Sequence, residues 1–220
     1  MDAEFQPLDY SRPTPDEMTA RAAALYADLK TRRTVREFSD APVPREVIEH
    51  IVHTAASAPS GAHKQPWTFC VVENPAIKER IREAAEREEY ENYHGRMSDA
   101  WLADLEKFGT DWQKPFLTTA PYLIVVFKKA YDLDEAGNRH KNYYVNESVG
   151  IACGFLIAAI HHAGLVTVTH TPSPMNFLQE VLGRPENERA YLLLPVGLPA
   201  TGARVPVIER KGISQVLTWY

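Results

Sequence analysis

With 220 residues, 45% of them hydrophobic and 24% charged, the chain has the length and apolar content of a single soluble domain. A formal net charge of -5 argues against a general nucleic-acid binder, because neutralising phosphates needs a basic surface; a local basic pocket for a phosphorylated cofactor stays open. The two cysteines, Cys70 in TFCVV and Cys153 in GIACGFL, read as small buried side chains, and no Cys/His spacing matches a structural zinc site.

Residues 1–14, rich in acids and prolines, form an extended lead-in with neither the basic nor the apolar region of a secretory signal. The longest apolar stretch, around 151–160, is too short to span a bilayer. A soluble, cytoplasmic protein without a membrane partner is the expectation. Pro15-Asp16-Glu17 starts a helix with Met18, Ala22, Leu25, Tyr26 and Leu29 at helical spacing. A second helix opens near Arg45, with Val47, Ile48, Ile51, Val52 and Ala55 on its buried side, and stops at Pro59-Ser60-Gly61.

The run 67–72, WTFCVV, predicts a strand buried on both faces, since it lacks polar alternation. A long charged helix is expected from about Ala76 to Tyr93, then a break at Gly95 and an amphipathic piece to about Phe108. Tyr122–Phe127 predicts another buried strand, and 129–141 a polar loop turning at Gly137-Asn138. Asn142–Ala163 is the most apolar helix, and Leu165–Thr169 and Tyr191–Val196 complete the strands. Alternating helices and short apolar strands define an α/β or α+β class with a covered central sheet and one domain over 15–220.

Four segments carry chemistry. Arg32-Arg33-Thr34-Val35-Arg36 gathers three guanidiniums, suited either to a phosphate or to a solvated helix end. APSGAHKQPW, 58–67, is a bent loop that either exposes amides and the Ser60 hydroxyl to a ligand or merely joins helix to strand. TVTHTP, 167–172, is a hydroxyl-rich strand end, and Arg210-Lys211 a late dibasic pair.

Taken in order, these segments resemble the FMN framework of the nitroreductase flavoproteins over about residues 20 to 212. Within that superfamily RTVREFSDAPVP, TAASAPSGAHKQPWTF, ENYHGRM, TAPYLIVVFK, IACGFLIAA, AGLVTVTHTP, VLGRP and LLLPVG are similar to the iodotyrosine deiodinase family. The resemblance implies a nitroreductase-like fold, with a mixed sheet covered by helices, in a domain-exchanged homodimer. It implies FMN-dependent reductive dehalogenation of halogenated tyrosines, such as 3-iodo-L-tyrosine, to tyrosine and halide by stepwise electron transfer. NAD(P)H or a separate reductase would supply the electrons, and a broader nitroreductase or quinone reductase is the alternative.

Carried over residue by residue, Arg32 and Arg210 bind the FMN phosphate, Arg33 and Thr34 complete that contact, and Arg36 approaches the pyrimidine edge. Ser60 contacts FMN from the neighbouring subunit. Thr169, His170 and Thr171 match the flavin-edge segment, with Thr171 the hydroxyl at flavin N5. A mobile lid over about 86–115 carries the substrate clamp. There Glu89 accepts from the ammonium, Lys114 meets the carboxylate, and Tyr93 bonds the carboxylate and covers the ring. The Ala62 N–H meets the phenolate oxygen. On bottom-up grounds Glu86, Glu88 and Tyr90 would serve as well as Glu89 and Tyr93; the resemblance alone selects among them. No metal is implied.

Overall fold

The computed structural model describes residues 4–220, so the first three residues of the expected lead-in lie outside the described residues. The chain divides into two compact units, one ending at Arg32 and the other running from Arg33 to Tyr220. In the first, helix α1 (Pro15–Leu29) begins where a reciprocal cap satisfies two free amides: Thr14 Oγ1 accepts from Glu17 N at 3.3 Å, and the Glu17 carboxylate accepts from Thr14 N at 2.7 Å. Its Met18, Leu25 and Tyr26 are exposed.

The second unit is built on a four-stranded sheet, with β1 (Trp67–Val72), β2 (Tyr122–Lys129), β6 (Glu188–Gly197) and β5 (Val166–Thr167) side by side in that order. Every neighbouring pair is antiparallel. The parallel contribution comes from a bridge between Thr34 and Thr167.

Strand periodicity explains the unbroken apolar run of β2. Ile124 and Val126 face one side of the sheet, where α2 (Arg45–Ala56) and α6 (Val145–His162) supply Ile48, Ile51, Val149 and Leu156. Leu123, Val125 and Phe127 face the other, against Ile81 of α3 (Pro75–Glu91), Leu117 of α5 (Phe116–Thr119) and Leu178 of α7 (Asn176–Val181). With both faces covered, a central strand has no reason to alternate apolar with polar residues.

Two expectations are corrected here. Trp67–Val72 has the predicted limits, but it is the sheet's edge strand. Val71 is exposed and Thr68–Cys70 only half-buried, because β1 has a neighbour on one side alone. The expected polar loop 129–141 contains a small hairpin, β3 (Tyr131–Leu133) against β4 (Arg139–Lys141). Its turn is organised by Asp134, whose carboxylate accepts from Ala136 N, Asn138 N and Asn138 Nδ2. The remaining α4 (Asp99–Glu106) lies in the expected lid.

Both cysteines are free, and burial pushes the Cys153 thiol up to about 12, in line with an inert core side chain. Among the described residues no helix is long and apolar enough to cross a membrane, and no His/Cys/Asp/Glu group is arranged to hold a metal ion.

Candidate active site

The basic segment enters the second unit as an extended strip. Val35 N donates to Thr167 O at 3.1 Å and Ser39 N to Leu198 O at 2.9 Å. Val35 and Phe38 turn into the core, which leaves the half-buried Arg36 facing a cavity. The chain after β5 is pinned to β6 by a reciprocal pair, His170 N to Leu193 O at 2.9 Å and Leu193 N to His170 O at 3.1 Å. By strand alternation the buried His170 is flanked by exposed Thr169 and Thr171.

The lid residues arrive from the C-terminal end of α3. Ile81, Ala85 and Glu89 are spaced by four residues and all buried, so Glu89 falls on the helix's core-facing stripe. The helix continues as one wide turn, Asn92–Arg96, fastened by Asn92 Nδ2 donating to Ser173 O at 3.0 Å. The chain then turns through α4 and returns along 107–115. Glu86 takes hold of this return: its carboxylate accepts from Lys114 N at 2.6 Å and from Arg82 Nε at 2.8 Å.

A cavity of about 200 Å³ results, in which Arg36, Glu89, Tyr93, Lys114, Thr169, His170 and Thr171 all appear. Lys114 Nζ stands 3.6 Å from a Glu89 carboxylate oxygen and 5.3 Å from the centre of the Tyr93 ring, and also donates to Asp111 O. Tyr93 OH donates to Thr110 O at 3.2 Å. Burial raises the Glu89 carboxyl and lowers the Lys114 ammonium, each partly opposed by the other's charge. Burial also lowers the Arg36 guanidinium and raises the Tyr93 phenol. His170 is pushed down to about 3, by burial first and then by the charges of Lys114 and Arg36.

The other residues singled out lie elsewhere. Arg33 donates to Pro206 O, Thr34 sits on the bridge to Thr167, and Ser60 and Ala62 belong to the loop before β1. Arg210 is on the C-terminal tail, and Arg32 ends the first unit. Sequence reasoning missed Met97, Leu105, Thr110, Phe116 and Val168 as cavity walls, and did not place Trp101 there. Trp101 and Leu105 stand four apart on α4, a spacing that points to one helix face.

The donor set has a chemical bias. Arginines, threonine hydroxyls and buried polar atoms with no partner among the described residues (Thr167 Oγ1 and His170 Nε2) are what a phosphorylated, polar-edged heterocycle requires. Opposite charges side by side, both buried, suit a zwitterion.

Comparisons agree with this reading of the fold. Residues 29–198 match the model of the nitroreductase family. Iodotyrosine deiodinase of Haliscomenobacter hydrossis is 63% identical over 98% of this chain and 97% of its own length. Iodotyrosine deiodinase 1 of Homo sapiens is 45% identical, over 97% of this chain and 74% of its own. A crystal structure of oxidised iodotyrosine deiodinase bound to FMN and 3-iodo-L-tyrosine superposes with a TM-score of 0.75 at 32% identity, covering 89% of this chain and all (100%) of that one. A BluB-like flavoprotein from Clostridium difficile, 20% identical with a TM-score of 0.67, shares the fold. The architecture is that of a nitroreductase-type flavoprotein. The chain belongs to the nitroreductase family and, within it, to the iodotyrosine deiodinases.

Proposed function

We propose that this chain is an FMN-dependent reductive dehalogenase of halogenated tyrosines, acting as a homodimer, with electrons from NAD(P)H or a separate reductase. The observation that carries the reading is the buried Glu89–Lys114 pair beside Tyr93, in one cavity with Thr169 and Thr171. A free amino acid needs an anion for its ammonium, a cation for its carboxylate and a neutral donor, and these three side chains provide them. Most nitroaromatics and quinones need none of them.

The bound substrate would place its ammonium against Glu89 and its carboxylate against Lys114 and the Tyr93 hydroxyl. The Tyr93 ring would lie over the aromatic ring and keep water from it. The Ala62 N–H would meet the phenolate oxygen, and because halogenation acidifies a phenol, an amide there favours halotyrosine over tyrosine. Arg32, Arg33, Thr34 and Arg210 would hold the FMN phosphate and ribityl end. Arg36 would stand at the pyrimidine edge, where a cation favours reduction, and Ser60, Thr169, His170 and Thr171 would complete the cofactor contacts. FMN, when bound, supplies the electrons. Overall the aryl carbon–halogen bond is replaced by carbon–hydrogen, taking up two electrons and one proton and releasing halide.

Homodimerisation is supported by two features. The cavity is lined without Ser60 or Ala62, which a second copy would contribute. Exposed Ile151 and Phe155 on α6, with Val216, Leu217 and Trp219 on the tail, offer apolar area for a partner to cover.

The test is a titration of the oxidised, FMN-loaded protein followed by flavin fluorescence, then iodide release under dithionite. Saturable quenching by 3-iodo-L-tyrosine, at least about tenfold tighter than by 2-iodophenol, is expected. Equal binding of the two would overturn the clamp, and a reduced holoprotein that releases no iodide would overturn the dehalogenase reading.

A further inference from the structure

The loop between α2 and β1 spends its amides in an unequal way. Gly61 N donates to Ser148 Oγ at 3.2 Å, His63 N to Ser60 O at 3.0 Å, Lys64 N to Gly61 O at 3.1 Å and Gln65 N to Ser60 Oγ at 2.9 Å. Pro66 has no amide hydrogen. The Ala62 N–H alone in this run has no acceptor among the described residues, and Ala62 is exposed.

Two neighbouring side chains fix this shape from beneath. Ala62 and His63 are consecutive left-handed residues, φ 49° and 53°, a conformation that non-glycine residues keep only when their surroundings impose it. The imposition comes through Gly61. A Cβ there would stand 2.9 Å from the Tyr144 ring and 3.2 Å from Tyr143 O, so the loop backbone rests directly on the start of α6. Ser148, one helical turn further along α6 and 2% exposed, receives the Gly61 N–H. That bond is the polar link in the loop's contact with α6, and it lies one residue before the free amide.

We propose that Ser148 is the positioning residue for the Ala62 amide: by holding Gly61 on α6 it aims the N–H at the substrate's phenolate and so sets the preference for the ionised phenol. This rests on the reading of Ala62 given above. Without the acceptor at 148, Gly61 N loses its partner, the pair Ala62–His63 relaxes, and the amide swings off line. The ammonium and carboxylate contacts, made on other elements, stay.

The experiment uses the FMN-loaded protein, Ser148→Ala, and Ser148→Cys, which keeps the volume but offers only a weak acceptor. Binding of 3-iodo-L-tyrosine and of 3-iodo-L-phenylalanine, which lacks the phenol oxygen, is measured across pH, with FMN retention as the check on folding. In the wild type, affinity for the iodotyrosine rises as its phenol ionises. Both variants should bind it about tenfold more weakly, with a flattened rise, while 3-iodo-L-phenylalanine stays within about twofold. Equal losses for both ligands would reduce Ser148 to a structural role and overturn the inference, as would no loss for either. Should Ser148→Ala lose FMN, Ser148→Cys decides by the same comparison. A wild type that binds both ligands alike with no pH dependence would overturn the phenolate reading of Ala62 itself, and the inference with it.

Discussion

Lys114 Nζ lies 3.6 Å from a Glu89 carboxylate oxygen while both side chains are nearly withdrawn from water, at 3% and 7% exposure. A tight charge-assisted hydrogen bond closes to about 2.7–2.9 Å, so this pair is near enough to neutralise and too far to be saturated. Each partner keeps capacity for an opposite charge brought by a ligand. Glu89→Gln should therefore weaken 3-iodo-L-tyrosine binding by about 2–5 kcal/mol, since it leaves the ligand ammonium buried without its anion. Calorimetric titration checks this. Unchanged affinity, or an equal loss for 2-iodophenol, would remove Glu89 from the clamp.

The same pair should cost the fold stability. Burial raises the Glu89 carboxyl and lowers the Lys114 ammonium. A carboxyl raised in the folded state stabilises it at low pH and withdraws that support as pH rises through its folded value. An ammonium lowered in the folded state supports it above the unfolded value, and that support is lost as pH falls through the folded one. Each shift withdraws support in the pH range where its own group ionises, so an ion pair at this place costs the fold and is held for binding. Glu89→Gln combined with Lys114→Met is expected to raise the melting temperature while abolishing iodotyrosine binding. A gain of about 1–4 kcal/mol would appear as about 2–4 °C for each kcal/mol. A lower melting temperature than the wild type, in scanning calorimetry, would show that the ion pair stabilises.

These residues also mark where the sequence was legible. The apolar run 67–72 yielded the strand limits, because β-branched and aromatic residues bounded by prolines and Asn74 admit little else. It misled about position, since an edge strand whose alternate residues join the cores on both faces of the sheet is as apolar as a central one. The hairpin 131–141 was invisible: its strands are three residues each, mostly exposed, and held by one Asp134 side chain rather than by a pattern. In the lid the choice among Glu86, Glu88 and Glu89 was open to sequence reasoning, yet a signal was there. Counting in fours from Ile81 through Ala85 puts Glu89 on the buried stripe and Glu86 off it, while Glu88, seven residues after Ile81, lies on the same side by spacing and is only half-buried. A charged residue in register with a core stripe is costly unless partnered. Its partner, Lys114, sits on an irregular return loop set by Glu86 accepting from its backbone, which no periodicity reports.

Gly197 closes β6 where the backbone passes Pro121, and a Cβ there would lie 2.5 Å from Pro121 Cδ and 3.1 Å from Cγ. A proline ring has no rotamer to retreat into, and Tyr122, the next residue, is locked in the sheet opposite Val196. Gly197→Ala should then cost about 1–3 kcal/mol as overpacking, seen as a lower urea midpoint with an unchanged slope. A midpoint equal to the wild type would mean that this end of the sheet yields.

His170 should give the protein a measurable acid sensitivity. Its ring stands edge-on to Phe116 at 5.7 Å, its Nε2 has no partner among the described residues, and burial with the nearby charges of Lys114 and Arg36 pushes its pKa down to about 3. The unfolded chain takes a proton near pH 6.5, whereas the folded chain resists it. The stability this confers is complete above the unfolded value and is lost as pH falls towards the folded one. Between pH 7 and 5 the loss is about 2 kcal/mol. Glu89 works in the opposite direction, so the informative quantity is the difference between the wild type and His170→Phe, which retains the contact with Phe116 and cannot titrate. Urea unfolding at pH 7 and pH 5 should show the wild type losing more stability than the variant by about that amount. Parallel losses would mean that His170 is protonated in the folded protein, and that an imidazolium shares the cavity with Lys114 and Arg36.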